Sequence, residues 1–552
     1  MIVRVLAVLL LVLGMPYPVP TVARAAMGGA AIGREHAAVI DTILTRRWML
    51  AQFRATSLTP AERDRLPVFL GRLGQLPGAD RQLILNPMVD LFALADPADY
   101  RTIADDRWRE IDAVFDAAHD AGIHRFLPTL TFKIDPSKPG LRGFCAETRS
   151  HRQGGSAAPH RETGAATTLA IANGSCLPQY ASPAYRAAFA ALLAQAIGHF
   201  ERRYGDEVIG YEPAGGVAGE IDWKGTDATG KPVFGDNSAI MQTRFRAYLL
   251  QGRPANAATV AWLNACLGTR FARLSDVAIP EAGDGPHGQV PGQVPGQVPG
   301  QVFAGALGKH YAAFRVRVMA DFYRDVRDVV KQAAPGKLFS LRMGSLIDAT
   351  SGLRGTLFFQ QLAEAVQPDL MISDASTFNH YYEGPIVAPT LYAGDPSAPI
   401  GRKRLRLAWG SVADKFSTYA RKNRDFRAVI DRQTDASFTT NGFSVLGFFL
   451  NPGEMAAAPQ NWTYLASVAR RLDVPPSDRA ALTARPVRTV RIGLGWALDD
   501  LGSVRQGQGL LRRIRSETKD FRVPVAIRFV DDIGSPSASG AGSGCTVQRR
   551  DS

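Results

Sequence analysis

The stretch Tyr204–Trp223, YGDEVIGYEPAGGVAGEIDW, decides the fold. It starts at the end of a long amphipathic segment, passes through the short apolar run VIGY, and opens into Gly-rich sequence ending on Glu220 and Trp223. A buried parallel strand leading into an exposed loop reads this way, and in βα units the loop after the strand carries the chemistry. The stretch offers two carboxylates: Glu212, in a Glu-Pro pair at the strand end, and Glu220, in the loop.

Working outward, strand-like and helix-like segments alternate. Upstream, SPAYRAAFAALLAQAIGHFERRYG (182–205) has Ser182 placed as N-cap and Pro183 at the first helical position. DDRWREIDAVFDAAHDAGI (105–123) repeats Ile111, Val114, Phe115 and Ala118 at the helical period and stops at Gly122. RQLILNP (81–87), ending near Asp90, and HRFLPTLTFKI (124–134) read as strands. Downstream come a helix over 309–337, the strand LFSLRMG (338–344), a helix over 357–367 and the strand DLMISDAS (369–376). The strand RLRLAWGS (404–411), the helix FRAVIDRQTDAS (426–437), the strand FSVLGFFL (443–450) and the helix TYLASVARRLD (463–473) close the series. Repeated βα units of this length predict the α/β class and a (β/α)8 TIM barrel over 26–480. No Gly-x-Gly-x-x-Gly or Walker motif stands at a strand-to-helix turn, which removes nucleotide binding.

FRAYLLQG (245–252) and ATVAWLNACLGTRFARLSDVAIP (258–280) follow Glu220. Together with it they resemble clan A glycoside hydrolases of the family 42 β-galactosidase type. In that family an Asn-Glu pair precedes a helix of F-R-x-W-L type and then an x-x-L-N-x-x-W-G-T-x-F run. The resemblance covers about residues 175–280. Gly219 stands where the family has Asn, and Cys266-Leu267 where an Ala-Trp pair is usual.

The resemblance implies cleavage of an O-glycosidic bond by carboxylic acid/base catalysis without a cofactor. One carboxylic acid protonates the leaving oxygen and a second carboxylate acts across the sugar. Glu220 takes the acid/base position; Glu212 is its rival, because Glu-Pro at a strand end resembles the Asn-Glu-Pro of other clan A families. The second carboxylate belongs at the end of strand seven, where RLRLAWGSVADKF (404–416) has Trp409-Gly410-Ser411 and Asp414 is the nearest acid. Glu383, in FNHYYEG, and Asp374, at the end of DLMISDAS, are further candidates. Tyr211, Trp223, Phe378, His380, Tyr381, Tyr382 and Trp409 fall near expected strand ends, where rings stack on sugar faces and polar groups meet hydroxyls. The absent strand-seven glutamate keeps a second class open, a non-catalytic carbohydrate-binding barrel accessory to exopolysaccharide assembly or turnover. In both readings the partner is an oligosaccharide or polysaccharide.

Composition bounds the rest. With 552 residues, 46% hydrophobic and 21% charged, the chain can bury a large core. Residues 1–25 read as a secretory signal, with Arg4, the apolar run Val5–Leu13 and the small-x-small site Ala23-Arg24-Ala25. No later stretch reaches the length of a membrane span, so the expectation is a periplasmic or secreted protein without a stable span after cleavage, with an uncleaved N-terminal anchor as the alternative. The net charge of +13 comes from scattered arginines without interleaved aromatics, which argues against nucleic acid. Among the four cysteines, Cys145 and Cys176 bracket a polar loop, and export predicts a disulfide between them. Cys266 reads as a buried thiol, Cys545 lies in the tail, and no close Cys spacing suggests a metal site. GQVPGQVPGQVPGQV (288–302) marks an extended insertion over 286–303. Residues 486–534 read as a small appended α/β or β unit, and 535–552 as a Ser/Gly-rich tail.

Overall fold

The computed structural model describes residues 46–56, 58–149, 166–171, 174–213, 225–226, 232–233, 236–251, 253–279, 305–343, 365–375, 408–413, 445–472, 488–493 and 525–530, together with Ile43 and Leu362. Eight parallel strands form a closed barrel. In chain order they are β1 (Trp48–Arg54), β2 (Leu83–Asp90), β3 (Thr129–Thr131), β4 (Gly210–Pro213), β5 (Leu338–Met343), β6 (Leu370–Ala375), β7 (Ala408–Ala413) and β8 (Val445–Phe449). Each strand pairs with the next, and β8 returns to β1 with Trp48 opposite Val445 and Gln52 opposite Phe449.

The strand that sequence reading missed is β1, WMLAQFR. It is a nearly unbroken apolar run, buried on both faces except at Arg54. Such a run has no period-two alternation and cannot be told from a helical segment by pattern. Its presence makes VIGYEP the fourth strand and AWGSVA the seventh. β3 is shorter than the eleven residues read as strand, because Pro128 has no N–H for the ladder. Phe126, just before it, holds the line through isolated bridges to Leu85 and Val208.

The described helices that pack outside the barrel include α1 (Pro60–Gly74), α2 (Arg109–Asp120), α3 (Pro183–Tyr204), α4 (Ala239–Leu249), α5 (Thr259–Leu267), α6 (Gly305–Ala333), α7 (Pro452–Ala457) and α8 (Pro459–Leu472). The Ser182 hydroxyl accepts from Tyr185 N at 3.3 Å and starts α3, as its sequence predicts. Tyr185, Ala188, Phe189, Leu192, Leu193, Ala196, Ile197 and Phe200 then form one buried stripe. On α2 the expected Ile111, Val114, Phe115 and Ala118 are all buried. Their rings lock the layer: Phe115 meets Phe126 at 5.0 Å and Phe200 at 4.9 Å between centroids, and Phe189 meets Phe322 at 5.1 Å.

Cys145 and Cys176 are joined by a disulfide. Between them Glu147–Arg149 pairs antiparallel with Ala166–Thr168. Cys266, expected as a buried thiol, is disulfide-bonded; its partner lies outside the described residues. In the C-terminal unit Arg488–Gly493 and Val525–Val530 pair in parallel. Residues 1–25, read as a secretory signal, the 286–303 repeat, the helices read over 357–367 (apart from Leu362 and residues 365–367) and 426–437, and the tail 535–552 lie outside the described residues. No described helix is long and apolar enough to cross a membrane.

Candidate active site

Alternate residues of a barrel strand face the interior. Trp48, Leu50, Ile84, Leu127, Leu338, Leu370, Ile372 and Val445 form a buried cluster of their own, distinct from the larger one between sheet and helices. This is the floor of the barrel. Two residues further along the same strands the interior turns polar: Gln52 follows Leu50, Asn86 follows Ile84, Thr129 follows Leu127, and Ser340 and Arg342 follow Leu338. All five are buried, and Glu212 on β4 joins them at 0% exposure.

Glu212 sits opposite Thr129 across the β3–β4 pair. Its Oε1 lies 2.8 Å from the Thr129 hydroxyl and 3.4 Å from Arg342 Nε, and its Oε2 accepts from the Ser340 hydroxyl at 3.0 Å. Thr129 Oγ1 is also 3.0 Å from Asn86 Oδ1, so its single proton serves one acceptor at a time. The Asn86 amide in turn donates to the Leu127 carbonyl. Gln52 Nε2 is buried with no hydrogen-bond partner among the described residues. A buried ion pair is held only when donors satisfy its remaining lone pairs, and here neighbouring strands supply them.

Asp90 ends β2 on the same interior parity as Ile84 and Asn86. Its Oδ1 accepts from Phe92 N and Lys133 N, both at 3.2 Å, and Thr56 Oγ1 accepts from its backbone N–H. Desolvation outweighs those donors and pushes its carboxyl up to about 6. The C-terminal mouth therefore holds a carboxyl that titrates close to neutrality.

The remaining expectations fall into three groups. Asp374 is the next-to-last residue of β6, in register with Val412 of β7, so it stands at the C-terminal end as expected. Two aromatic assignments are corrected. Tyr211, read as a sugar contact, lies behind the sheet: with Glu212 inward, the two-residue period turns it outward, where it is fully buried and its hydroxyl donates to Glu201 on α3 at 2.6 Å. Trp409, read as lying beyond a strand end, is the second residue of β7, opposite Met371 near the strand's start. β7 is described over Ala408–Ala413, two residues beyond Ser411 where sequence ends it, and Asp414 follows directly in the chain. Glu220, Trp223, Phe378, His380, Tyr381, Tyr382, Glu383 and Asp414 lie outside the described residues.

Sequence reading singled out none of Gln52, Asn86, Thr129, Ser340 and Arg342 and used Asp90 only as a strand boundary. The signal was present in LFSLRM and LILNPMVD, where polar residues two apart in the first and four apart in the second interrupt otherwise apolar strands on one face. In an all-parallel barrel such interruptions mark the interior near the mouth.

No protein-family model matches the chain, and no curated protein matches it in sequence. Solved structures do resemble it. The β-galactosidase from Bacillus circulans sp. alkalophilus is 11% identical with a TM-score of 0.54, over 89% of this chain and 66% of that one. The β-galactosidase from the psychrophilic Marinomonas ef1 is 12% identical with a TM-score of 0.51, over 87% of this chain and 70% of that one. A GH42 β-galactosidase from G. stearothermophilus is 12% identical with a TM-score of 0.53, over 88% of this chain and 65% of that one. This chain thus spans about two thirds of the length of these enzymes. The likeness is one of fold alone, a (β/α)8 barrel.

Proposed function

We propose that this chain is an exported glycoside hydrolase, cleaving an O-glycosidic bond of a glycan at the C-terminal mouth of its barrel. The observation that carries the reading is the placement of carboxylates on strand ends. Glu212 is the inward residue at the end of β4, Asp374 stands at the end of β6, and β7 ends at Ala413, directly before Asp414. Glycosidic cleavage needs a proton donor and a second carboxylate converging from such positions. The Thr129 and Ser340 hydroxyls and the Arg342 guanidinium surround the Glu212 carboxylate, which suits a group that shapes the floor of the site. The proton then comes from Glu220, eight residues further along the chain, and Asp414 is the partner across the sugar. The Cys145–Cys176 disulfide supports an oxidising compartment, periplasmic or extracellular.

The test is turnover of polysaccharides and aryl glycosides by wild type, Glu220→Gln and Glu212→Gln. Glu220→Gln keeps the shape but cannot donate a proton, so cleavage of unactivated glycans falls by on the order of a hundredfold or more. Aryl glycosides with good leaving groups lose much less in their first step. Equal activity of wild type and Glu220→Gln refutes the acid role. A full loss in Glu212→Gln alone moves that role to Glu212. No turnover by any protein, with measurable oligosaccharide binding, supports a binding barrel instead.

A further inference from the structure

At the end of the barrel opposite the mouth, two αβ connections bring three metal-type ligands together. His119 lies in the last turn of α2, His124 follows the Gly122 turn towards β3, and Glu207 lies between α3 and β4. The connections are fixed to each other: Phe126 N donates to Glu207 O at 2.8 Å, and Ile209 N to Phe126 O at 2.9 Å. Glu207 N is itself bonded to Tyr204 O at 2.9 Å, and Gly122 N to His119 O at 2.8 Å. The three side chains therefore stand on backbone that is already ordered.

Both imidazoles aim the same nitrogen at the same oxygen. His119 Nδ1 is 2.7 Å and His124 Nδ1 2.6 Å from Glu207 Oε1, with ring centroids 4.9 Å apart at 79°. The three ligand atoms lie within 4.8 Å of one another. Two donors converging on one carboxylate oxygen is how imidazoles stand when a cation can replace their two protons. We propose that His119, His124 and Glu207 form a binding site for a divalent first-row transition ion, Zn2+ foremost, which ties the α2–β3 connection to the α3–β4 connection.

Two imidazole nitrogens and one carboxylate oxygen are the three-ligand set of an open zinc site, with water in the fourth position. Both histidine side chains are about half exposed, at 57% and 50%, so the ion has an entry path and room for that water. Bond lengths of about 2.0–2.2 Å to nitrogen and oxygen are reached by small side-chain rotations about the present centre. Each neutral imidazole frees Nδ1 by carrying its proton on Nε2. Asp120 and Asp116 lie near His119 and add negative potential to the site. Conserved positions of catalysis gather at the other end of such barrels, so the expected role is bracing rather than chemistry. Cysteine spacing in the sequence suggested no metal; the ligands here are two neighbouring histidines and a glutamate 83 residues beyond the nearer one.

The experiment is calorimetric titration of tag-free, metal-stripped protein with Zn2+, alongside His119→Ala, His124→Ala and Glu207→Gln. The two histidines are about half exposed and Glu207 is partly buried, and circular dichroism checks that each variant folds. One equivalent binds to wild type and each variant weakens it by more than the roughly tenfold that loss of even an outer-shell partner costs. Co2+ in the same site gives the intense visible bands of a four-coordinate ion, and the wild-type melting temperature rises with Zn2+ while those of the variants do not. Zn2+ binding of equal strength and stoichiometry in all four proteins, or none in wild type, overturns the proposal. Co2+ spectra of a six-coordinate aquo ion in wild type do the same.

Discussion

Glu212 and Arg342 show how much a few inward side chains decide. Each is essentially without solvent contact, and Glu212 is held by side chains from the strands on both sides of it. Deleting one of such a pair leaves an uncompensated buried charge, typically about 3–5 kcal/mol. Asp90 gives a sharper prediction. Its carboxyl is raised to about 6 by desolvation from an ordinary value of 3.8, so between about pH 4 and 6 the folded chain binds more protons than the unfolded one. Stability from this group is complete below about pH 4 and is lost as pH rises through about 6. Asp90→Asn removes that dependence while keeping an oxygen for Phe92 N and Lys133 N. Urea midpoints from pH 4 to 7 should therefore fall less in the variant than in wild type; parallel curves would show that Asp90 titrates normally. Asp236, also raised to about 6 by burial, contributes with the same sign.

Among the elements, α3 is the one whose sequence and structure agree most closely. Ser182 caps it, Pro183 opens it, and its buried stripe follows the helical period to Tyr204. Ser182→Ala should cost about 1 kcal/mol, read as a lower urea midpoint with an unchanged slope. A loss near zero would mean that Pro183 and tertiary packing start the helix unaided. Helices were legible because one face is buried and the other is wet. Parallel strands buried on both faces carry no such contrast, which is why β1 escaped notice. Tyr211 shows the same limit at one residue: both faces of β4 are buried, and only the position of Glu212 fixes which way the tyrosine turns. The carboxylate Glu212 was readable from its Glu-Pro context, whereas its partners Thr129, Ser340 and Arg342 come from other strands that only the closed sheet brings beside it.

At the scale of the molecule, two kinds of closure hold the chain. The Cys145–Cys176 bridge spans 31 residues and stabilises by about 3–4 kcal/mol in the chain-entropy account. Thermal unfolding should drop by several degrees when both cysteines become alanine, and peptide mapping without reductant should recover their peptides linked; free thiols at both positions would refute the bond. The other closure is the pairing of β1 with β8, which joins Trp48 to Val445. A ribosome delivers the first of these strands hundreds of residues before the last. Until the eighth emerges, the growing sheet ends in two bare rows of peptide groups, each able to pair with a neighbouring chain. A product cut short before Phe449 would carry both of those rows permanently, and its fate would be to associate edge to edge.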